Sequence, residues 1–251
     1  MNDLPRVYVI GMGEVGTRLA TGLRDAGVET GSVTRSRGWT AALDDVDGLF
    51  LVCVREESLE EVLARLRGVD GRRIVLVQNG WIRPQLRTLQ EATRGLIWFT
   101  SKGDFFEVLR PSPFAGPWAG ALSRALVAGG VAAEEVDAAT CDRLDAEKMG
   151  FNCVVGLPLA VHGLTFGEYL STLEHEAREV FIEAVTVCSH ALNTDTDEDL
   201  WAGFVRSAAP LSWVKTSKAK ALDFRNGAVV SLAAQLGLEA PVNAALLRAH
   251  G

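Results

Sequence analysis

The chain has 251 residues, of which 48% are hydrophobic and 23% are charged, and it carries a net charge of −7. This is the composition of a globular protein long enough for one large domain or two smaller ones. The acidic balance argues against a general nucleic-acid-binding surface or a surface for anionic membranes.

Targeting and redox signals are missing from the sequence. The chain does not open with a basic stretch and an apolar run, and no apolar run reaches the ~20 residues that span a bilayer. The four cysteines form no CxxC pair, which is typical of reduced thiols in a protein core. These features predict a cytoplasmic protein without a metal site and with no membrane or nucleic-acid partner.

The first predicted element is a buried strand, Val7 to Ile10, followed by a glycine-rich turn and a helix from Thr17 to Ala26. The turn, Gly11-Met12-Gly13-Glu14-Val15-Gly16, has the GxGxxG spacing. In dinucleotide sites these glycines permit the sharp turn, the approach of the pyrophosphate and the close packing of helix on strand. The turn therefore predicts a pyrophosphate at the helix N-terminus. A plain strand–turn–helix is the alternative, and the carboxylate of Glu14 would repel phosphates.

Strand and helix patterns then alternate as far as residue 138. Ser58 and Glu61 have the spacing of a capping box, and the segment from Ser101 to Pro117 has the composition of a loop with a short strand. Alternating βα units predict an α/β domain with a Rossmann-type, doubly wound parallel sheet. The further predicted strands are Val28–Thr34, Gly48–Val54, Ile74–Val77, Leu96–Thr100 and Val131–Val136, and the further helices begin at Ser58, near Pro84 and at Trp118.

Only helical patterns follow residue 138. One helix is predicted over Asp142–Val155 and a long one over Glu168–Leu192, with further helices separated by Pro210, Asn226-Gly227 and Pro241. The sequence thus predicts a dinucleotide-binding domain (1–138) and an all-helical domain for substrate and catalysis (139–251). The long helix packs either within one subunit or across a homodimer.

The end of the second predicted strand indicates the type of dinucleotide. NAD-specific sites usually place Asp or Glu there to bind the ribose 2′-hydroxyl, whereas this chain reads Thr34-Arg35-Ser36-Arg37. Glu29 comes too early in the strand to replace the missing acid. An arginine can bind a 2′-phosphate through two hydrogen bonds. The pattern favours NADP(H), unless both arginines are ordinary surface residues.

Lys148 and Asn152 are candidates for carbonyl chemistry. Residues four apart share one face of a helix, so an ammonium and an amide can contact the same small polar group. Reduction of a carbonyl requires a proton on oxygen, and a partly buried lysine can donate one because burial lowers its pKa. The alternative is that Lys148 lies on a solvated face and pairs with a nearby acid such as Asp145.

Several motifs, in order, resemble one family. They are GMGEVG from Gly11, Arg35 after the second strand, VQNG from Val77, KMGFNCVVGLPLAV from Lys148 and LDFRNGAVVSLAAQLGLEAPVNAALL from Leu222. With these motifs the chain resembles, nearly end to end, the ketopantoate reductases (2-dehydropantoate 2-reductases). This family of NADPH-dependent enzymes belongs to the 6-phosphogluconate-dehydrogenase-like superfamily.

The resemblance implies an oxidoreductase that reduces a 2-oxo acid with NADPH. It implies that the glycine-rich turn holds the pyrophosphate and that Asn79 lies beside the nicotinamide. A QNG turn after a central strand independently indicates the carboxyl edge of the sheet, although Asn-Gly is also the commonest turn dipeptide. The implied residues are Arg35 for the 2′-phosphate, Arg55 near the cofactor, Lys148 and Asn79 for catalysis, and Asn152 and Asp223 for the substrate.

Three positions depart from the family pattern. Gly156, Ala221 and Ala209 stand where the resemblance implies an asparagine, a glutamate and a serine that contact substrate. Each lost hydrogen-bonding partner weakens the binding of a hydroxylated substrate. The departures argue against ketopantoate and favour a less polar or a larger substrate. Two alternatives stay open: an NADP-binding sensor without turnover, and a reductase of a different carbonyl or an imine.

Overall fold

The computed structural model describes residues 4–102, 105–196 and 199–250. The chain divides into two compact units, which we call the first unit (residues 1–78 and 82–141) and the second unit (residues 79–81 and 142–251). Each unit is described by itself below. The functional domains 1–138 and 139–251 remain a prediction.

Short strands form the framework of the first unit. They are β1 (Val7–Ile10), β2 (Thr30–Val33), β3 (Leu49–Val52), β4 (Ile74–Leu76), β5 (Thr93–Gly95), β6 (Phe99–Lys102), β7 (Phe105–Val108), β8 (Ser112–Ala115) and β9 (Ala133–Glu135). A sheet of seven has the order β2-β1-β3-β4-β5-β8-β9. Adjacent strands of this sheet run parallel, except β5 and β8, which are antiparallel. Strands β6 and β7 form a separate antiparallel hairpin. The predicted parallel-dominated sheet is confirmed, with this one antiparallel pair.

Helices cover this sheet and bury its central strands. They are α1 (Glu14–Asp25), α2 (Trp39–Asp44), α3 (Leu59–Arg65), α4 (Arg83–Thr88) and α5 (Ala119–Ala128). Every residue of β1 and β3 is buried, as expected for parallel strands covered on both faces. Leu19 and Leu23 of α1 and Leu122 and Leu126 of α5 belong to the same buried core as these strands.

The fifth strand lies earlier in the chain than predicted. The sequence indicated Leu96–Thr100, but the ladder with β4 joins Val75 to Thr93 and Leu76 to Arg94. Leu96 and Trp98, which follow β5, are nevertheless buried. The apolar run from Leu96 therefore predicted burial correctly, but it did not identify the residues that pair with β4.

The cap predicted at Ser58 is also wrong. A short 3₁₀ helix over Glu56–Ser58 precedes α3, so Ser58 already has helical backbone angles and its side chain makes no capping hydrogen bond. A capping box does form at Thr165 and Glu168, where each side chain binds the other residue's backbone N–H.

The second unit is helical, as the sequence predicted. Its helices are α6 (Ala138–Val154, within which the division between the units falls), α7 (Leu157–His162), α8 (Phe166–Thr172), α9 (Glu174–Leu192), α10 (Leu200–Ala208), α11 (Asn226–Leu236) and α12 (Pro241–His250). In the part of this unit that the structure describes, the only β-pairing outside named strands is one bridge from Thr165 to Lys215. No helix among the described residues is both long and apolar enough to cross a membrane.

The single long helix predicted over Glu168–Leu192 is in fact two helices, α8 and α9, which meet at Leu173. The hydroxyls of Ser171 and Thr172 both donate to the backbone oxygen of Glu168. Such bonds compete with the helical ladder and accompany its end here. The apolar periodicity continued across the break and concealed it. Asn193, in the left-handed conformation, ends α9 as predicted.

Aromatic rings form the core of the second unit. Phe204 of α10 is buried, and its ring centroid lies 4.8 Å from that of Phe181 and 5.7 Å from that of Phe151. Phe166 completes an edge-on contact at 5.9 Å. These contacts join α6, α8, α9 and α10 through one residue, which fixes α6 and its polar side chains against the rest of the unit.

Candidate functional site

The glycine-rich turn has the shape that a phosphate group requires. Gly11 has a φ of 96°, and a Cβ at Gly16 would lie 1.9 Å from the backbone oxygen of Gly11. Both glycines are therefore demanded by the chain's own geometry. A Cβ at Gly13 would meet no atom within 4 Å. Gly13 is thus the glycine that the fold does not need, which fits a pyrophosphate approaching the turn.

A cleft of about 370 Å³ opens at the carboxyl ends of β1, β2 and β3. It is lined by three of the predicted turn residues, Gly11, Met12 and Gly13, and by both predicted arginines, Arg35 and Arg55. The predicted cofactor residues Glu14, Val15 and Gly16 belong to the first turn and a half of α1 behind it. Glu14 is exposed.

Arginine side chains lie around this cleft. Arg35 and Arg55 are both exposed side chains. Glu29 pairs with Arg6 at the amino-terminal end of the strands, so it does not reach the carboxyl edge. Burial raises the pKa of the Cys53 thiol in the cleft wall, and the thiol therefore adds no negative charge near neutral pH. These residues fit a phosphate-bearing cofactor.

Two further residues of the cleft, Trp39 and Arg65, were not singled out from the sequence. Trp39 begins α2, and the guanidinium carbon of Arg65 lies 5.1 Å from the centre of its ring. Arg65 also forms an ion pair with Glu61 at 3.1 Å. No motif marks these positions, because α2 and α3 bring them together only in the folded chain.

Hydrogen bonds brace the carboxyl ends of β3 and β4. The side-chain amide of Gln78 donates to the backbone oxygens of Val52 and Val54 at 2.9 and 3.1 Å. Arg94, a buried residue, donates to the backbone oxygen of Gln78 at 2.6 Å. The start of the predicted QNG turn is therefore held rigidly. Sequence reasoning missed Arg94, since an arginine in a strand pattern normally indicates a solvated position.

Asn79, the next residue of this turn, belongs to the second unit and is tied to α6. Its backbone oxygen accepts a hydrogen bond of 2.5 Å from the side-chain amide of Asn152. Its own side-chain oxygen is buried and has no hydrogen-bond partner among the described residues. A buried acceptor without a donor is costly, and the carboxamide of a nicotinamide offers a donor of the required kind. Asn79 and Asn152 are thus brought together by this hydrogen bond.

Lys148 lies on the same side of α6, one turn before Asn152. The residue is only 3% exposed, and its Nζ atom lies 4.5 Å from the centre of the Phe151 ring. The alternative of a lysine on a solvated face is therefore excluded. A buried ammonium at this position is suited to proton transfer.

The three positions that depart from the ketopantoate reductase pattern carry no polar side chain that could contact a substrate. Gly156 is buried, Ala221 has the left-handed conformation with a φ of 50°, and Ala209 is exposed. Asp223, predicted to contact substrate, is an exposed residue of a 3₁₀ helix over Leu222–Phe224. The backbone oxygen of Phe224 accepts from the N–H of Trp81 at 2.7 Å, which joins this segment to the Asn79 turn.

Comparison with known proteins identifies the fold. No protein-family model and no curated protein matches the sequence. A ketopantoate reductase from Ralstonia eutropha has a TM-score of 0.75 at 20% identity, over 96% of this chain and 95% of that chain. A dimeric ketopantoate reductase from Staphylococcus aureus has a TM-score of 0.75 at 16% identity, over 98% of each chain. D-mandelate dehydrogenase in complex with NADH has a TM-score of 0.75 at 12% identity, over 97% of each chain.

At these identities the match establishes the fold alone. The chain has the fold of the ketopantoate reductases along nearly its whole length, and the resemblance predicted from the sequence is confirmed at that level.

Proposed function

We propose that this protein is an NADPH-dependent reductase of a 2-oxo acid or a related carbonyl compound, a divergent relative of the 2-dehydropantoate 2-reductases. The observation that carries the proposal is the open side of Gly13, where a Cβ would meet no protein atom, in a cleft that Arg35 and Arg55 also line. The fold shared with ketopantoate reductases and with a dehydrogenase that binds NADH supports it.

Binding of the cofactor's phosphates falls to the first unit. The backbone N–H groups at the start of α1 and the open side of Gly13 would hold the pyrophosphate. Arg35 would bind the 2′-phosphate through its planar fork, with Arg55 as a second cation. The unpartnered side-chain oxygen of Asn79 would accept a hydrogen bond from the carboxamide. The reduced nicotinamide supplies the hydride.

Proton transfer and positioning fall to the second unit. Lys148 would donate a proton to the carbonyl oxygen as the carbonyl carbon gains the hydride, which yields a 2-hydroxy acid and a neutral lysine. The buried amide of Asn152, already ordered by its bond to Asn79, would orient the carbonyl without adding charge. Solvent would then return the proton to Lys148.

The proposal is tested by the oxidation of NADPH with a panel of 2-oxo acids. The parent protein should reduce at least one of them, and Lys148→Met should lower kcat by about 10²- to 10⁴-fold, the usual contribution of a general acid. Lys218→Met changes an exposed lysine and should keep the parent's rate. Equal rates for Lys148→Met and the parent would remove Lys148 from the mechanism.

A second candidate function is NADP sensing without turnover. It is favoured by the apolar residues Gly156, Ala221 and Ala209, which offer a substrate no hydrogen bonds. NADPH binding without reduction of any carbonyl or imine on the panel would support it. Rapid reduction of a single compound would exclude it.

A homodimer remains a prediction. The related Staphylococcus aureus protein is described as dimeric, and light scattering would determine whether this chain assembles in the same way.

A further inference from the structure

The side chain of Arg225 has no hydrogen-bond or ion-pair partner in the described part of the second unit. It directly precedes α11 and is half-buried, and its Nε atom is shielded from solvent. Within the described ranges of the chain, its guanidinium makes no hydrogen bond and no ion pair. Shielding such a group without an acceptor is unfavourable. Such a guanidinium is suited to bind an acceptor that comes from outside the chain.

Gly156 leaves room beside this guanidinium. A Cβ at Gly156 would lie 3.9 Å from Nη1 of Arg225 and 3.2 Å from the backbone oxygen of Asn152. Arg225 therefore reaches the short connection between α6 and α7, which follows Lys148 and Asn152 in the chain. A longer side chain at Gly156 would occupy the space next to the guanidinium, so the glycine and the arginine form one feature.

The separation along α6 indicates which part of a substrate would meet Arg225. Lys148 lies six residues before Val154, the last residue of α6, which is about 9 Å along a helix, and Gly156 follows two residues later. In a 2-oxo acid, the C1 carboxylate is bonded directly to the carbonyl carbon and therefore stays close to Lys148 when Lys148 protonates the carbonyl oxygen. The group that reaches Arg225 must then lie farther along the substrate.

We propose that Arg225 binds a second carboxylate at the far end of the substrate, so that the substrate class is a dicarboxylic 2-oxo acid. This inference rests on the proposed function and narrows its substrate. A guanidinium matches a carboxylate through two parallel hydrogen bonds. The first turn of α11 contains no acidic residue, and the positive end of its dipole favours an anion at the same place. Asp223 is exposed and forms no ion pair with Arg225.

The test compares pairs of substrates that differ only in the terminal carboxylate. With NADPH, kcat/KM is measured for 2-oxoadipate against 2-oxohexanoate, and for the corresponding pairs one carbon shorter and one carbon longer. In at least one pair the parent should prefer the dicarboxylate by about tenfold or more, the usual effect of a hydrogen-bonded charge. Arg225→Met should bring that ratio close to one, with the KM for NADPH unchanged. Arg225→Lys should show an intermediate ratio, because lysine keeps the positive charge but cannot form the two parallel hydrogen bonds of a guanidinium.

Arg206→Met is the matched control, since Arg206 is an exposed arginine of α10 in the same unit, and it should retain the parent's preference. A purely structural role of Arg225 would lower the rates for both members of a pair equally and leave the ratio intact. That result would overturn the proposal, as would a parent that shows no preference at any of the three lengths.

A binding measurement separates this proposal from the proposed function. Adipate and hexanoate are titrated calorimetrically into the parent and into Arg225→Met. Tighter binding of adipate that disappears in Arg225→Met supports the anion site even if no carbonyl is reduced. Equal binding of adipate and hexanoate by the parent overturns it, whatever the enzyme reduces.

Discussion

Gly13, the N-cap of α1, and Gly16, in its first turn, have different physical roles. Gly16 is enclosed by the backbone of Gly11, whereas Gly13 faces open space. The first arrangement is needed for folding, and the second is needed only if something must approach the turn. Gly16 is therefore expected to contribute to stability, and Gly13 to cofactor binding.

Alanine at each position should show the difference. Gly16→Ala should lower the free energy of unfolding by more than about 2 kcal/mol, because the new methyl group overlaps a backbone oxygen that cannot move away freely. Gly13→Ala should cost less than about 1 kcal/mol, the effect of a poorer N-cap residue, yet it should weaken NADPH binding by at least about tenfold. Urea unfolding and calorimetric titration measure the two quantities. Equal NADPH affinities for Gly13→Ala and the parent would contradict the assigned role.

Sequence reasoning reached some residues of the site and missed others for a definable reason. The glycine-rich turn, Arg35 and Lys148 were found because motif spacing or strand ends mark them. Arg94 was missed because its importance depends on its burial. Arg225 was missed because its importance depends on the absence of a hydrogen-bond or ion-pair partner among the described residues. Neither property is visible in a linear sequence, where an arginine is normally expected to be solvated.

At the scale of elements, a buried polar network joins four helices of the second unit. Glu183 of α9 accepts hydrogen bonds from the first-turn N–H groups of Val242 and Asn243 at 2.8 and 2.9 Å. Asn243 in turn accepts from Asn226 of α11 at 2.8 Å, and Asn226 also donates to the backbone oxygen of Cys153 in α6. The network therefore holds the end of α6 against the start of α11, next to Arg225.

Glu183→Gln should destabilise the protein by about 1–3 kcal/mol, because the substitution removes the charge that caps α12 and places an amide donor among other donors. Glu179→Gln is the control on the same helix. Glu179 is exposed and pairs with His175 across one turn, so its replacement should cost less than about 0.5 kcal/mol. Urea unfolding of both variants measures the difference, and equal losses of stability would show that the network contributes nothing particular.

Helices and strands were predicted well where the residues of the segment itself determine the structure. They were predicted poorly where the structure depends on the strands or backbone that the segment contacts. The buried strands β1, β3 and β4 were located closely, because both faces of a parallel strand must be apolar. The position of β5 depended on β4 and β8, and an apolar run could not supply it. Ser58 and Thr165 both begin a capping-box pattern, but only Thr165 has the extended backbone that allows its side chain to cap.

At the scale of the whole molecule, the order of strands and helices along the chain was the main basis for predicting the fold. Alternating strands and helices followed by helices alone predicted an α/β unit and a helical unit, and the structure has both. The likeness to ketopantoate reductases covers nearly the full chain at 20% identity or less in the comparisons described above. The same fold is thus reached at low sequence identity.

The central claim is that the first unit binds NADPH along the cleft at the carboxyl ends of β1, β2 and β3. Calorimetric titration of the parent protein and of Arg35→Met with NADPH and with NADH tests it most directly. We expect one NADPH per chain, a preference for NADPH over NADH of at least about tenfold from the charged hydrogen bonds to the 2′-phosphate, and the loss of that preference in Arg35→Met. A parent that binds neither dinucleotide, or that binds both equally well with Arg35 present, would contradict the account.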